Sequence, residues 1–124
     1  MAGEAILIVD DNEVNLELAE YTLESAGYVV TTAPDAAAAQ ALLSTLHPDL
    51  ILVDIQLPGM DGLEFTRAIK ADPQLRHIIV VALTSYAMAG DERKAVDSGC
   101  DGYITKPIEI RSFPDTIAAY LTRN

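Results

Sequence analysis

The chain is poor in cysteine and in long apolar runs, and each shortage excludes a class of protein. Cys100 is the only cysteine among 124 residues, so neither an internal disulfide nor a cysteine-based zinc site can form. We expect Cys100 to be a small buried apolar residue. No apolar run approaches the roughly 20 residues that cross a bilayer, and residues 1–4 lack the basic and apolar parts of a signal peptide. The sequence therefore predicts a cytoplasmic protein without membrane contact.

Basic residues are scarce as well. Eight Lys and Arg residues stand against 19 Asp and Glu residues, which gives a formal net charge of −11. Affinity for nucleic acids comes mainly from Lys and Arg side chains that neutralise phosphates. We therefore expect no nucleic-acid partner.

The residues that are present predict a single α/β domain over residues 1–124. Half of them are hydrophobic and 22% are charged, which suits a domain with a proper core. Short apolar runs alternate with longer amphipathic segments, the pattern of repeated βα units. Continuous apolar runs suit parallel strands that are covered on both faces. The predicted strands are residues 5–9, 28–32, 49–53, 78–82 and 102–104.

Five amphipathic segments predict five helices between and after these strands. In the first of them, Val14, Leu18 and Tyr21 form the predicted buried stripe. The fourth has few apolar residues, so we expect it to be the most loosely packed. The predicted helices are residues 13–26, 35–46, 62–70 and 87–98, followed by a C-terminal helix that carries Phe113 and Ile117 on one face.

Polar side chains end the predicted strands on one edge of the sheet, where parallel α/β sheets bind ligands. Asp10 and Asp11 end the first strand, Asp54 the third and Thr84 the fourth, and Lys106 follows the fifth. Carboxylates about 4 Å apart repel by roughly 4 kcal/mol per pair at an effective dielectric near 20, so the cluster needs a cation. All-oxygen ligands favour Mg²⁺, and a hydroxyl with an ammonium beside it suits phosphate.

Four blocks of sequence resemble the signatures of response-regulator receiver domains. They are IVDDN at residues 8–12, LVDIQLPGMDG at residues 52–62, ALTS at residues 82–85 and YITKP at residues 103–107. Through DIQLP at residues 54–58, AMAGDE at residues 87–92 and YITKPI at residues 103–108, the chain also resembles stand-alone, single-domain regulators of the DivK type. The resemblance implies a CheY-like, flavodoxin-like doubly wound fold: a five-stranded parallel sheet of order 2-1-3-4-5 flanked by five helices.

The resemblance also assigns roles to the acidic residues. Asp54 would be the phosphoacceptor. Asp11, Asp54 and the carbonyl group of Gln56 would bind Mg²⁺ directly, and Asp10 would hold it through water. An Asp-Asp pair that stood alone after a strand would more often be a helix cap with a solvated neighbour.

Further roles follow from the resemblance for the last two strands. Thr84 and Lys106 would bind the phosphoryl oxygens. In the family, the threonine moves toward the phosphoryl group while an aromatic residue, here Tyr103, turns inward. Simple packing of Tyr103 at the sheet edge is the alternative. A cis bond before Pro107 is expected.

The implied function is two-component signal transduction. A histidine kinase or a phosphotransfer histidine would donate the phosphoryl group, and the signal would leave through a downstream protein partner or by phosphorelay, from a monomer or a phosphorylation-dependent dimer. The domain would catalyse only its own phosphorylation and slow autodephosphorylation. A receiver excised from a hybrid kinase or a longer regulator would look the same.

Two other classes fit the residues less well. A Mg²⁺-dependent phosphatase of the haloacid dehalogenase type has an Asp two residues after its nucleophile, where this chain has Gln56. A flavin-binding electron carrier has a phosphate-binding loop rich in Ser, Thr and Gly after the first strand. This chain has Asp10, Asp11 and Asn12 there, and the two carboxylates would repel the flavin phosphate. His47 and His77 have no potential metal ligands or catalytic partners at the spacings that such sites require, and they are predicted to lie at the surface or in loops.

Overall fold

A computed structural model describes residues 3–57, 59–84, 93–94, 96–105 and 108–122 of the chain. Five parallel strands form one sheet of order β2-β1-β3-β4-β5. The predicted α/β class and the predicted strand order are both confirmed. The strands are β1 (Ala5–Val9), β2 (Val29–Ala33), β3 (Leu50–Asp54), β4 (Ile79–Thr84) and β5 (Gly102–Thr105).

Four helices are delimited in the described residues, where five were predicted. Most of the helix predicted for residues 87–98 lies outside the described part, in which residues 93, 94, 96 and 97 are helical. None of the delimited helices is long and apolar enough to cross a membrane. The four are α1 (Glu13–Ser25), α2 (Ala36–Leu42), α3 (Gly62–Ala71) and α4 (Phe113–Leu121).

Side-chain caps fix where the first three helices begin. Asn12, Asp35 and Asp61 each accept a hydrogen bond from the backbone N–H three residues later, at 2.8 to 3.1 Å. Each bond satisfies one of the N–H groups that a helix N-terminus leaves without an internal partner. At the other end of α1, Gly27 has a φ of +97°, a conformation that glycine adopts without a steric penalty.

Helix α2 is shorter than the predicted segment, which extended to residue 46. It ends at Leu42, and turns occupy residues 43–45. The Ser44 hydroxyl donates to the Ala41 carbonyl at 2.8 Å. Such a local bond offers the backbone an alternative to continued helix.

The core lies on both faces of the sheet, because alternate residues of each strand point to opposite sides. One face packs against α2 and α3, and the other against α1 and α4. Every residue of β3 and β4 is buried. The largest fully buried side chains are Phe65, Phe113, Ile6, Leu7, Ile8, Leu23, Leu50, Ile51, Leu52, Ile69, Leu83 and Ile117.

The predicted buried stripe of α1 was wrong. Val14 is 72% exposed and Tyr21 is 73% exposed. The helix instead buries Ala19, Thr22 and Leu23. Two sets of apolar residues at helical spacing run along α1, and the set with the small Ala19 approaches the sheet closely.

A cavity of about 410 Å³ near the amino-terminal ends of β1 and β4 is lined in part by His47 and His77. Both histidines are exposed, as predicted.

The buried Tyr28 side chain has an altered ionisation. Burial raises the pKa of its phenol, and the carboxylates of Glu4 and Asp115 raise that pKa further. The Tyr28 side chain therefore stays neutral at pH values where an exposed phenol ionises.

Candidate functional site

Three carboxylates meet at the carboxyl edge of the sheet. Asp10 directly follows β1 and Asp54 ends β3, and these strands are neighbours with Val9 paired to Val53. One oxygen from each of Asp10, Asp11 and Asp54 lies within 4.8 Å of the others. Asp10 is 1% exposed and Asp54 is 6% exposed, whereas Asp11 is exposed. The group therefore has a buried base and one side open to solvent.

Backbone N–H groups orient the two buried carboxylates. Asp10 Oδ1 accepts from the Asn12 N–H at 2.9 Å, and Asp54 Oδ1 accepts from the Gln56 N–H at 3.0 Å. Asn12, rather than either aspartate, caps α1. The interpretation of the Asp10-Asp11 pair as a helix cap is therefore wrong.

The charges of this group call for a cation. At 4.8 Å and an effective dielectric near 20, each pair of carboxylates repels by roughly 3.5 kcal/mol. Two oxygens on opposite sides of a Mg²⁺ ion with bonds of about 2.1 Å stand roughly 4.2 Å apart. The spacing of the group and its all-oxygen chemistry fit a hard divalent cation.

Thr84 lies at the same edge of the sheet, one strand away from Asp54. It is the last residue of β4 and is 4% exposed. Its neighbour Leu83 pairs with Asp54, and Thr84 itself pairs with Thr105 of β5. Thr84 therefore ends β4 at the same edge of the sheet as the acidic group, one strand toward β5.

Tyr103 is partly buried and packs against the small cluster of Leu63 and Ala82. This position is compatible with sheet-edge packing and with a switching role alike. Lys106 and Pro107 lie outside the described residues, so their predicted roles stay predictions.

The first turn of α3 packs behind the acidic group, a feature that the sequence analysis missed. The Gly62 N–H donates to the Ile55 carbonyl at 2.9 Å, and the Ile55 N–H donates to the Leu83 carbonyl at 3.0 Å. The hydroxyl of Thr66, which is fully buried, donates to the Gly62 carbonyl at 2.8 Å. The sequence signal for this feature is the glycine at the first position of α3, since glycine is a poor helix former and is chosen there for another reason.

Cys100 is partly buried and packs against two apolar clusters, as predicted, but it also has polar neighbours. Its Sγ lies 3.7 Å from Thr66 Oγ1 and 3.6 Å from Ser98 Oγ. Burial raises the pKa of the Cys100 thiol and the Asp101 charge adds to this, while the two hydroxyl contacts and Lys70 act in the opposite direction. The thiol is therefore a weak nucleophile near neutral pH.

Comparisons with known proteins agree with this geometry. Residues 6–118 match the response regulator receiver domain family. The polar-differentiation response regulator DivK of Brucella ovis is 45% identical over 118 residues, which cover 95% of this chain and 96% of that protein. The described fold, the strand order and the position of the acidic group all agree with such a match.

Solved structures are also similar. The chemotaxis response regulator CheY4 of Vibrio cholerae superposes with a TM-score of 0.90 at 27% identity, covering 96% of this chain and 99% of that chain. The signal receiver domain of a histidine kinase from Syntrophus aciditrophicus gives a TM-score of 0.88 at 32% identity, covering 98% and 94%. These likenesses give no support to the phosphatase and flavin-carrier alternatives.

Proposed function

Because the chain belongs to the response regulator receiver domain family, we propose that residues 1–124 act as one receiver domain with Asp54 as its phosphoacceptor. Receivers of this family serve phosphorylation-based, two-component signalling. The observation that carries the assignment is the buried Asp54 carboxylate within 4.8 Å of those of Asp10 and Asp11. Of the three, Asp54 lies on the central strand and pairs with Leu83, the residue before Thr84.

The reaction needs little from the protein beyond position and charge. One Asp54 carboxylate oxygen attacks the phosphorus atom of the donor in line. The bond from phosphorus to the donor's imidazole nitrogen, or to the acyl oxygen of a small donor, breaks, and its electron pair leaves with the donor. A carboxylate nucleophile has no proton to lose, so this step requires no general base.

The cation proposed for the site is Mg²⁺. Asp11, Asp54 and the Gln56 carbonyl would bind it directly, and Asp10 would hold it through water. Bound there, it would offset the charge of the carboxylates and of the transferred phosphoryl oxygens. Asp10 and Asp54 are already oriented by backbone N–H groups, so the protein presents fixed ligands.

Thr84 and Lys106 complete the proposed site. The Thr84 hydroxyl would donate a hydrogen bond to a phosphoryl oxygen, and the Lys106 ammonium would neutralise another. Movement of Thr84 toward the phosphoryl group would let Tyr103 turn inward. A cis bond before Pro107 would set the direction of Lys106.

The proposed donor is a histidine kinase or a histidine phosphotransfer protein, and the proposed readout is a contact with a downstream protein. The domain would catalyse its own phosphorylation and slow dephosphorylation and transform no metabolite.

The test is intact mass after incubation with acetyl phosphate and Mg²⁺. We expect one phosphoryl adduct on the native chain, none on Asp54→Asn and none after chelation of the metal. Asp49→Asn is the matched control, because Asp49 lies outside the acidic group and accepts the Ala5 N–H. An adduct that survives Asp54→Asn, or that forms equally without metal, would sink the assignment.

A further inference from the structure

We infer that Gly62 is a positioning residue for the acidic site. Its lack of a side chain lets the first turn of α3 lie directly on the backbone of Asp54, and Thr66 holds that turn in place. The inference rests on the proposed function for its meaning in phosphoryl transfer. Its effect on cation binding is measurable independently.

The space at Gly62 decides the argument. A Cβ atom added there would overlap the Asp54 carbonyl oxygen and would lie only 2.9 Å from the Asp54 carbonyl carbon and from Ile55 Cα. Gly62 does not have a positive φ, so its backbone conformation suits any residue. Glycine is a poorer helix former than every residue except proline. Only the close approach to Asp54 therefore explains glycine at this position.

The overlap cannot be relieved by the helix moving away. Leu63, Phe65 and Ile69 anchor the same helix in the core with 8% exposure or less. The Thr66 hydroxyl bonds to the Gly62 carbonyl at 2.8 Å, and the Gly62 N–H bonds to Ile55. The start of α3 is thus held by apolar packing and by hydrogen bonds together.

Strand β3 cannot move away as a whole either, since β1 and β4 pair with it on both sides. The part that can yield is the start of the connection after β3, where Ile55 is only partly buried and Gln56 is exposed. That connection begins at the Asp54 peptide and supplies the Gln56 N–H that orients the Asp54 carboxylate. A side chain at Gly62 would therefore displace the nucleophile and the adjoining carbonyl groups.

The expected size of the effect follows from the displacement. Relief of the overlap requires a shift of about 1 Å, and a misplacement of that size can lower a reaction rate by roughly a hundredfold. For Gly62→Ala we expect Mg²⁺ affinity to fall by about tenfold or more. Phosphorylation by acetyl phosphate should slow by at least a similar factor.

The chain offers a matched control at Gly102. A Cβ atom there would come equally close to the phenol end of Tyr120, but that end of a side chain can turn aside, whereas the overlap at Gly62 is with backbone atoms. Gly102→Ala therefore adds the same methyl group in a close contact without displacing the backbone. Gly102 begins β5, whereas the site lies at the Thr105 end of that strand, roughly 10 Å away at 3.3 Å per residue. Gly102→Ala should leave Mg²⁺ affinity within about twofold of the native value.

The experiment titrates Mg²⁺ into the native chain and both alanine variants, followed by amide chemical shifts, at a temperature where circular dichroism shows each to be folded. A purely structural role for Gly62 would lower the melting temperature and leave the affinity of the folded protein unchanged. Native affinity in Gly62→Ala would overturn the inference. Absence of a phosphoryl adduct on the native chain would instead count against the proposed function.

A milder pair of variants covers the case in which Gly62→Ala does not fold. Thr66→Val removes the hydroxyl that holds the Gly62 carbonyl, and Cys100→Ala removes a different neighbour of the same hydroxyl. We expect Mg²⁺ affinity to fall about threefold in Thr66→Val and to stay unchanged in Cys100→Ala. Equal affinities in Thr66→Val and the native chain would contradict the inference.

Discussion

Lys70, in the last turn of α3, makes contacts whose loss should be measurable as stability. Its Nζ atom donates to the Ile78 carbonyl at 2.7 Å and to the Arg76 carbonyl at 3.2 Å. It also pairs with Asp101 Oδ2 at 2.9 Å, with side-chain exposures of 21% for Lys70 and 40% for Asp101. The same Asp101 oxygen accepts the Val80 N–H at 2.8 Å. One ammonium group thus ties α3 to the start of β4 and to the approach to β5.

The cost of Lys70→Met can be built from these contacts. Each bond from the ammonium to a carbonyl contributes about 1 kcal/mol net of the competing bonds to water. The ion pair is partly exposed and adds at most about 1 kcal/mol, since solvent and salt screen it. The methionine chain keeps most of the apolar packing of the lysine stem. We therefore expect a loss of about 2 to 3 kcal/mol in the free energy of unfolding.

Urea unfolding followed by circular dichroism measures this loss. Arg67→Met is the matched control, because Arg67 is exposed on the same helix and its replacement should change stability by less than about 0.5 kcal/mol. Asp101→Asn should retain a bond to Val80 and lose about 1 kcal/mol, and its effect should not add fully to that of Lys70→Met. A Lys70→Met variant within about 0.5 kcal/mol of native would refute the reasoning.

Three further outcomes are expected. Leu23→Ala should lower the free energy of unfolding by about 3 kcal/mol and Tyr21→Ala by less than about 0.5 kcal/mol, because only Leu23 is buried. A larger loss for Tyr21→Ala in urea unfolding would show that the face of α1 with Val14 and Tyr21 is the buried one. Asp35→Ala should cost about 1 kcal/mol through loss of the α2 cap, and Asp35→Asn clearly less; equal losses would argue against capping. Because the pKa of the Cys100 thiol is raised, the folded chain keeps the thiol proton at pH values where the unfolded chain has lost it. The stability that the neutral thiol contributes is therefore complete below the ordinary pKa range of thiols and declines as the pH rises through that range. Stability measured at pH 7 and pH 9.5 should therefore fall less in Cys100→Ala than in the native chain.

The sheet could be predicted from the sequence because its strands are continuous apolar runs, and such runs require cover on both faces. The meeting of Asp10, Asp11 and Asp54 could be predicted for a related reason. All three follow predicted strands, and the carboxyl ends of parallel strands share an edge. The order of the strands came only from the resemblance to receiver domains, since βα units alone do not fix it.

The buried face of α1 could not be predicted from spacing. Val14, Leu18 and Tyr21 satisfy a helical repeat, and so do Ala19 and Leu23 at i and i+4. Periodicity ranks the larger side chains higher, whereas close approach to a sheet favours the small one. The choice is made by tertiary packing, which a pattern along one helix does not contain.

The glycine at the start of α3 indicates a close approach, but the partners of Gly62 and Lys70 could not be predicted from the sequence. Thr66 and Cys100 are 34 residues apart, and Lys70 and Asp101 are 31 apart. No spacing rule relates residues at such separations, because the path of the chain between them decides whether they meet. Gly62 is a similar case. It needs empty space because the chain folds back after β3 and places Gly62 against the backbone of Asp54.

The position of Asp54 on the central strand has a consequence for the timescales of motion. Strand β3 is paired along its length with β1 and β4, so its amides should open only when much of the domain unfolds. After it, Gln56 and Met60 are exposed, so we expect local opening at these two residues to cost less free energy than opening of β3. A chemical change at Asp54 would then be made on the strand that opens most slowly, close to residues that open more easily. Hydrogen exchange should show this boundary between residues 54 and 56.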